Sequence, residues 1–277
     1  MLSPSGAGID VTGGGESVSH RLVDMLVQSS GQAGGAAVHL LSGPFVTRGD
    51  DRVQVPEGSK RLLALVALNS GQPVDRRWAA GTLWPTGGDA RAAGNLRSAL
   101  WRLKCAGVEV LTSDKTTLAL QAGIVVDIDV ICNWAEQILD PAAQDAVLCG
   151  LGWRMQSLDL LPGWYDDWVL LERERVRQLL MHALDAMSEK LLRSGRFAEA
   201  VESAIAAVRA DPLRESAQRA LVRAHLAEGN LAEARRAYSR FCRLLQDELG
   251  VLPSAEYLGL LGGRGSSGRR PASDSAS

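Results

Sequence analysis

The second half of the chain repeats part of itself at a fixed distance. A leucine, a glycine and an alanine–glutamate–alanine run occur twice in the same order, 34 residues apart. The two copies are Leu192, Gly195, Ala198, Glu199 and Ala200, and then Leu226, Gly229, Ala232, Glu233 and Ala234. A period of 34 residues is typical of repeats made of two helices and a tight turn. This region is therefore predicted to fold as stacked helix pairs.

The residue types at the repeated positions agree with this prediction. Glycine allows the tight turn between the two helices of a repeat, and alanine lets those helices approach closely. Pro212 and Pro253 follow the two units and end their helices. Because 34 residues is the period of tetratricopeptide (TPR) repeats, we predict an all-α TPR-like domain over residues 128–261. The stacked helices of such domains usually present a protein-binding surface.

The N-terminal part of the chain has a different pattern. Short apolar runs separated by glycine, proline and aspartate predict a small antiparallel sheet. Its strands are predicted at Val38–Leu41, Phe45–Arg48 and Arg52–Val55. A leucine-rich helix is predicted to begin at Ser59 and to end at a turn in which Gly71 supplies the C-terminal cap.

Two further helices and a hairpin are predicted to follow. Asp75 is a good N-cap for the first of these helices, which the next proline ends. Asp89 is predicted to cap the second, an amphipathic helix that extends to Lys104. After it, Val108–Leu111 and Thr117–Leu120 are predicted to form a β-hairpin with a polar tip.

The helix that begins near Asp89 has two opposed faces. Leu96, Leu100 and Leu103 recur at helical spacing and are predicted to point into the core. Polar and aromatic residues lie about half a turn away: Arg91, Asn95, Ser98, Trp101 and Arg102, with Gly94 and Arg97 beside them. Guanidinium and amide groups in a row can hydrogen-bond to base edges and phosphates in a major groove. Because a charged helix face is more often simply solvated, the flanking elements must decide between these interpretations.

The local charge favours nucleic-acid binding at this helix. Residues 48–105 carry ten Lys and Arg against five Asp and Glu, whereas residues 131–262 carry fifteen against nineteen. The net charge of the whole chain, −2, argues against a binder that is basic throughout. A basic N-terminal module joined to an acidic one is typical of a DNA reader fused to a protein-contacting domain.

The candidate contacts on this face differ in the chemistry they offer. Asn95 can bind adenine and an arginine can bind guanine, whereas the remaining polar residues can hold phosphates. Any one of them can instead do no more than pair with an acidic residue of the same domain. Trp101 can contact a sugar or a thymine methyl, or it can pack beneath the hairpin.

The order of the predicted elements resembles one known DNA-binding fold. A small sheet, three helices and a hairpin occur in this order in the winged helix-turn-helix of the OmpR type, an α+β fold. In winged helices the third helix enters the major groove, and the hairpin reaches the neighbouring backbone or minor groove. Ser113, Lys115 and Thr116 at the hairpin tip are therefore candidate DNA contacts, and Asp114 is predicted to shape the turn. The winged helix is predicted to span residues 38–127.

The two halves in this order closely resemble the Streptomyces antibiotic regulatory protein (SARP) family. In that family an OmpR-type winged helix precedes a bacterial transcriptional activation domain of TPR-like helices. The resemblance extends over Val38–Leu261. It is carried by Pro56–Leu68, Ala90–Leu103, Val125–Asp129, Leu160–Trp168, Glu172–Arg177 and Leu245–Pro253, each weak alone but specific together and in order.

The resemblance implies a function and a set of partners. It implies a sequence-specific transcriptional activator of an antibiotic or other secondary-metabolite biosynthesis cluster, which binds direct repeats near the −35 region of promoter DNA. It also implies a head-to-tail dimer on DNA and contacts to RNA polymerase, particularly its sigma subunit. A single winged helix touches few base pairs, which independently favours two protomers on tandem sites. A TPR-type protein-interaction scaffold, or a repressor without polymerase contact, remains the alternative.

The sequence lacks the motifs of cofactor binding and catalysis. The run Gly58-Ser59-Lys60 lacks the upstream glycine of a phosphate-binding loop, so no role for ATP is expected, although larger relatives continue into an ATPase domain. The four cysteines form no CxxC pair and the four histidines no HxxxH pair. We therefore expect isolated buried thiols, no metal, no cofactor and no enzymatic activity.

One aromatic and acidic run is better explained by helix packing than by catalysis. Trp164-Tyr165-Asp166-Asp167-Trp168 alternates rings with carboxylates, as some sugar-binding sites do. In a helical module, Trp164 and Trp168 are predicted to share one helix face, and Asp166 or Asp167 to cap the helix that follows.

The ends of the chain and its composition indicate where the protein works. Residues 1–37 and 262–277 are rich in Gly and Ser and are predicted to be disordered, apart from a short helix at Glu16–Gln28. Some 37 polar residues are too few for a phosphoacceptor domain ahead of the winged helix. Without a long apolar run or a secretion signal, we expect a cytoplasmic, nucleoid-associated protein with no membrane contact.

Overall fold

The computed structural model describes residues 35–41, 43–49, 51–69, 71–142 and 159–261. The predicted helix Glu16–Gln28, the tail 262–277 and nearly all of the tail 1–37 lie outside the described residues, as does Cys149. Strand pairing begins at Ala36, two residues before Val38, because Ala36 and Ala37 pair with the second strand.

The described elements are numbered in chain order. The strands are β1 (Ala36–His39), β2 (Phe45–Arg48), β3 (Asp51–Val53), β4 (Val74–Asp75), β5 (Leu111–Ser113), β6 (Thr117–Leu120) and β7 (Val125–Val126). The helices are α1 (Glu57–Ala67), α2 (Arg76–Leu83), α3 (Gly88–Cys105), α4 (Asp127–Leu139), α5 (Asp167–Arg193), α6 (Phe197–Ala210), α7 (Glu215–Glu228), α8 (Leu231–Leu249) and α9 (Ala255–Leu258).

By packing, the chain divides into two compact units. The first is Met1–Asp140 with Ser157–Leu180, and the second is Pro141–Gln156 with Met181–Ser277. Helix α4 and the beginning of α5 therefore pack with the N-terminal unit, although the sequence assigned them to the helical domain. The domain boundary between residues 127 and 128 stays a prediction.

Four strands form the first sheet of the N-terminal unit, in the order β3-β2-β1-β7. The antiparallel pairing of β1 with β2 and of β2 with β3 confirms the predicted three-stranded sheet. Strand β7 adds a parallel neighbour to β1, with Val38 opposite Val126. The sequence did not predict this strand, because a two-residue strand has no detectable alternation.

A buried carboxylate joins this sheet to α4. The side chain of Asp127 accepts hydrogen bonds from the backbone N–H groups of Leu40 (2.9 Å), Leu41 (3.0 Å) and Ile128 (2.7 Å). Burial raises the pKa of Asp127 to about 7, and these three donors oppose that rise because they favour the ionised form. The first residue of α4 is thus fixed against the end of β1.

Helices α1, α2 and α3 pack beside the sheets around large apolar side chains. Leu62, Leu63 and Leu83 are almost completely buried. Asp75 caps α2 as predicted, since its carboxylate accepts the N–H of Trp78 at 2.8 Å. Ser59 does not open α1, which begins at Glu57. Its buried hydroxyl instead donates to the carbonyl oxygen of Ala99 in α3, at 2.9 Å.

Three further predictions about these helices are wrong in detail. The C-cap of α1 is Leu68 and not Gly71, which lies in the following turn. The N-cap of α3 is Gly87 and not Asp89, because the chain enters the helix with a φ of 111°, which glycine adopts readily. Leu100 is only half-buried, and the buried face of α3 consists instead of Ala92, Leu96, Ala99 and Leu103.

The predicted hairpin is present and belongs to a second sheet. Its second strand lies at Thr117–Leu120 as predicted, but its first strand lies at Leu111–Ser113 and not at Val108–Leu111. Strands β5 and β6 pair antiparallel, with Ser113 opposite Leu118, and β4 pairs with the other edge of β6. The strand order is β4-β6-β5. Because β4 leads directly into α2, this sheet holds the hairpin beside the start of that helix.

The aromatic and acidic run lies at the beginning of α5, in the N-terminal unit. Trp164 precedes the helix, so it does not share a helix face with Trp168 as predicted. The two rings meet edge to face, with centroids 6.3 Å apart. The Asp166 carbonyl accepts the N–H of Val169, whereas its carboxylate pairs with Arg61 in α1. The Asp166 carboxylate therefore joins the start of α5 to α1.

The second unit consists of helices throughout its described part. The 34-residue repeat corresponds to two equivalent turns, at Gly195 (φ 73°) between α5 and α6 and at Gly229 (φ 86°) between α7 and α8. The repeated Ala200 and Ala234 are completely buried between the helices, whereas the repeated Ala198 and Ala232 are exposed, so the predicted role in close helix packing is wrong for these two. No β-strand occurs among residues 170–250. The predicted helix pairs are confirmed. No helix in the described ranges has the length and apolar character that a membrane crossing requires.

Candidate nucleic-acid interface

Helix α3 presents the predicted contact residues on the side opposite its buried alanines and leucines. Arg91, Arg97 and Ser98 are exposed, whereas Asn95 is half-buried. The indole of Trp101 is 67% exposed, which excludes the interpretation that it packs beneath the hairpin. Ser98 donates its hydroxyl to the carbonyl of Gly94 at 3.0 Å, so as a contact it offers chiefly its acceptor side.

Arg91 is positioned by the unusual backbone at the start of α3. A Cβ at Gly87 would lie 2.9 Å from Cδ of Arg91, closer than real Cβ contacts occur. The aliphatic stem of Arg91 therefore lies directly against the N-cap glycine. The left-handed backbone favours glycine at position 87, and a Cβ there would also displace the stem of Arg91.

Arg102 has a second role that its sequence position does not indicate. Its guanidinium lies over the first turn of α1, where a Cβ at Gly58 would be 3.1 Å from Nη1 of Arg102. Arg102 is still exposed, so it can contact a phosphate, but it also packs against α1. Replacing it would therefore change both packing and charge.

The hairpin tip is ordered by Asp114, as predicted. One carboxylate oxygen accepts the N–H groups of Thr116 (2.7 Å) and Thr117 (2.6 Å), and the other accepts the hydroxyl of Thr117 at 2.8 Å. These bonds, led by the N–H of Thr117, lower the pKa of Asp114 to about 2. The exposed side chains of Ser113, Lys115 and Thr116 are thus held on a fixed turn.

Arg76 joins the hairpin tip to α2. Its Nη1 donates to the hydroxyl of Ser113 and, at 3.3 Å, to the carbonyl of Asp114, while its backbone N–H donates to Thr116. The adjacent Arg77 is exposed. Both arginines contribute to the positive charge of residues 48–105, but neither was predicted as a site residue. The signal was present, because two arginines follow the N-cap Asp75 directly.

These elements enclose one basic cleft of about 870 Å³ between α2, the first half of α3 and the hairpin tip. Its ionisable lining consists of four cations and two carboxylates: Arg76, Arg77, Arg97, Lys115, Asp89 and Asp114. The structure thus brings Arg97 of the predicted helix and Lys115 of the predicted tip to a single cleft. The cleft is concave and cationic, the combination that concentrates field lines on an anionic partner.

Metal ligation and thiol chemistry have no assembled site in the described ranges. No group of three or more His, Cys, Asp or Glu side chains there could hold a metal ion. The thiol of Cys132 is buried, and burial is the main cause that raises its pKa. Cys105 is exposed at the end of α3, so the prediction of buried thiols is wrong for this residue.

Comparison with known proteins bears on the helical part of the chain. In sequence, residues 142–260 match the family model of the bacterial transcriptional activator domain. The C-terminal part is thus similar to that domain. This match supports the predicted resemblance to SARP-type regulators, a family of transcriptional regulators and not of enzymes. No curated protein matches the chain.

A solved structure shares the fold over a longer stretch. It is Mycobacterium tuberculosis EmbR in complex with a low-affinity phosphopeptide, with a TM-score of 0.65 and 19% sequence identity. The match covers 81% of this chain but only 63% of the EmbR chain. It extends beyond the activator-domain match and therefore includes part of the N-terminal unit. At this identity, the likeness concerns the fold alone.

Proposed function

We propose that this protein is a sequence-specific DNA-binding transcriptional activator of the SARP type. The observation that carries the proposal is the basic cleft, in which Arg97 of α3, the start of α2 and the ordered hairpin tip meet. The other predicted contacts of α3 lie outside the lining of this cleft. Ahead of a region that matches an activator domain, this arrangement is best explained as an OmpR-type winged helix. The hairpin is then the wing and α3 is the recognition helix.

The side chains of the interface divide by the chemistry they offer. On α3, Arg91 and Asn95 face the base edges, and Trp101 contacts a sugar or a thymine methyl. Arg97 lies on the side of α3 that lines the cleft and contacts a phosphate. Arg102 contacts the backbone of the same groove, and Ser98, whose hydroxyl donates to the Gly94 carbonyl, accepts a hydrogen bond from a base amino group. Ser113, Lys115 and Thr116 contact the neighbouring backbone from the wing. Arg76 holds the wing in place, and Arg77 adds phosphate attraction.

The wider function follows from the resemblance and the activator-domain match. Two protomers occupy direct repeats near the −35 region, head to tail, and contact RNA polymerase through its sigma subunit. The regulated genes form an antibiotic or other secondary-metabolite cluster, and the protein works in the cytoplasm at the nucleoid. It catalyses no reaction.

Binding to DNA is tested with the full chain. The wild type first selects a preferred duplex from a random library. Fluorescence anisotropy then compares that duplex with a scrambled one of the same composition. Arg91→Ala should weaken binding to the selected duplex by about 5- to 150-fold, as expected for one lost base contact, with little change on the scrambled duplex.

Arg240→Ala is the matched control, because it removes the same charge from an exposed position of α8 in the second unit. It should leave both affinities unchanged. Equal binding of the two duplexes by the wild type, or unchanged affinity of Arg91→Ala, would contradict the assignment of α3 as a recognition helix.

Activation is best tested without truncation. A chain that ends near Asp129 would lose most of α4, whose Ile131, Trp134 and Ile138 are buried in the N-terminal unit. Purified polymerase should instead transcribe from a template carrying the selected duplex, with the full chain added. The wild type should increase transcript yield, whereas Arg91→Ala should not at the same concentration. A decrease with the wild type would favour a repressor.

A further inference from the structure

One position on the exposed face of α3 has no side chain at all. Gly94 lies in the interior of an 18-residue helix, where glycine costs about 1 kcal/mol relative to alanine. At helical spacing it lies between Arg91 and Ser98 along the face, with Trp101 one turn further. A helix that needed only to be stable would have alanine here.

The rest of the fold does not explain this glycine. Within 4 Å of a Cβ at position 94, outside the helix backbone, the described residues offer only Nη2 of Arg97, at 3.8 Å. That distance is ordinary contact. Two other glycines near the interface differ, because a Cβ at Gly58 or Gly87 would press on Arg102 or Arg91. A Cβ at either position would displace one of these arginine side chains, whereas a Cβ at Gly94 would make only ordinary contact.

The buried side of α3 fixes how far this helix lies from the protein core, in the same part of the helix as Gly94. Ala99 is fully buried, and its carbonyl oxygen accepts the buried hydroxyl of Ser59 in α1. Ala92 and Leu96 are buried on the same side of the helix. Interiors packed to this density do not yield to pressure from outside, so α3 cannot retreat to make room for a bulkier residue.

We infer that Gly94 is the point of closest approach between α3 and the base pairs of the bound duplex. This inference rests on the proposed function. The missing Cβ leaves room for the edge of a base or a thymine methyl between Arg91, one turn before it, and Ser98, one turn after it. Gly94 is thus a positioning residue that sets how deeply the helix enters the groove.

A size series at this position tests the inference. Alanine and leucine are both strong helix formers, so Gly94→Ala and Gly94→Leu should melt at or above the wild-type temperature. Affinity for the selected duplex should fall stepwise, by about fivefold or more for alanine and further for leucine, as base contacts are pushed out of register. Affinity for the scrambled duplex should change less, because backbone contacts tolerate a small shift.

Ala232→Leu is the control for adding bulk, since it places the same side chain at an exposed position of α8. It should bind both duplexes like the wild type. If Gly94→Leu also binds like the wild type while Arg91→Ala is weakened, the inference about Gly94 fails and the proposed function stands. If the wild type selects no duplex, the proposed function itself fails. A lower melting temperature for Gly94→Ala would show that the fold requires the glycine, which also overturns the inference.

Discussion

The two units of this protein fill their interiors with different side chains. In the N-terminal unit, leucine, valine and isoleucine together outnumber alanine at the fully buried positions, with Leu40, Leu63 and Leu118 among them. In the second unit, alanine predominates at the fully buried positions of the described helices: Ala183, Ala200, Ala204, Ala207, Ala217, Ala224 and Ala234. In the N-terminal unit, long side chains fill the space between the elements. In the second unit, small side chains let the helices lie close together.

The difference follows from what packs against what. Sheets with helices beside them leave space that long side chains must fill, whereas closely crossing helices leave almost none. Where two helices of the second unit cross, serine hydroxyls donate to backbone carbonyls of the facing helix, from Ser188 to Ala200 and from Ser203 to Leu184. The bond from Ser59 to Ala99 repeats this arrangement at one point of the N-terminal unit. The way in which two elements pack is thus set by the residues at their contact and not by the unit to which they belong.

The largest expected effect is the loss of a leucine from the N-terminal unit. Leu96→Ala should lower the free energy of unfolding by about 2–5 kcal/mol, because it removes a buried side chain and leaves a cavity. Six of the seven tryptophans belong to this unit, so denaturation followed by tryptophan fluorescence reports on it. The half-buried Leu100 is the matched control, and Leu100→Ala should cost clearly less. Equal losses would mean that both leucines belong to the core, as the sequence predicted.

The close helix contacts of the second unit, where alanines are buried, should be destabilised by added volume and not by lost volume. Ala204→Leu inserts three carbons into a fully buried position of α6 and should destabilise the second unit by about 1–3 kcal/mol. Far-UV circular dichroism, which sees the helices of both units, should show an earlier transition, while tryptophan fluorescence should stay near wild type. If both signals shift together, the two units unfold in one transition. The stability of each interior could then not be measured separately.

The smallest expected effect is a dependence of stability on pH. The N-terminal unit buries the titratable Asp127, whereas the buried Ser188 and Ser203 of the second unit do not titrate. Because the pKa of Asp127 is raised to about 7 in the folded state, the folded protein holds this proton between about pH 4 and pH 7, where the unfolded chain has lost it. Stability from this group is therefore greatest at acidic pH and falls as pH rises, by at most about 1.4 kcal/mol per pH unit.

The measurement compares wild type with Asp127→Asn, followed by tryptophan fluorescence at pH 5 and pH 6. The stability difference between them should move against the wild type as pH rises. An unchanged difference would mean that the three amide donors keep Asp127 ionised throughout this range.

Local signals in the sequence predicted local structure well. The N-cap at Asp75, the hairpin turn at Asp114 and the glycine turns of the repeat each depend on residues within a few positions, so their chemistry is visible in the chain. Asp89 and Gly87 show the limit of this approach. Either residue can occupy the N-cap of a helix. The backbone of the preceding loop has a positive φ at this point, which places Gly87 at the N-cap of α3.

Features that depend on distant residues were not predictable in this way. Ala92 and Ala99 form half of the buried face of α3, but alanine is equally common on surfaces, so the pattern favoured Leu100 instead. An aspartate normally indicates exposure, and the burial of Asp127 is explained by three amide donors and by the buried His39, whose Nδ1 lies 3.9 Å from Oδ2 of Asp127. In the candidate interface, the role of Arg76 depends on a hairpin tip 37 residues away.

The parallel pairing of β1 with β7 also has a consequence for synthesis. It joins positions far apart in the chain, and the Asp127 bonds to Leu40 span 87 residues. At about 5–20 residues per second, a ribosome needs roughly 4 to 17 s to make the connecting chain. Strand β2 covers one edge of β1 early, but the other edge stays open during this interval. An open strand edge can pair with any extended chain, so crowded nascent copies are most prone to aggregate before α4 emerges.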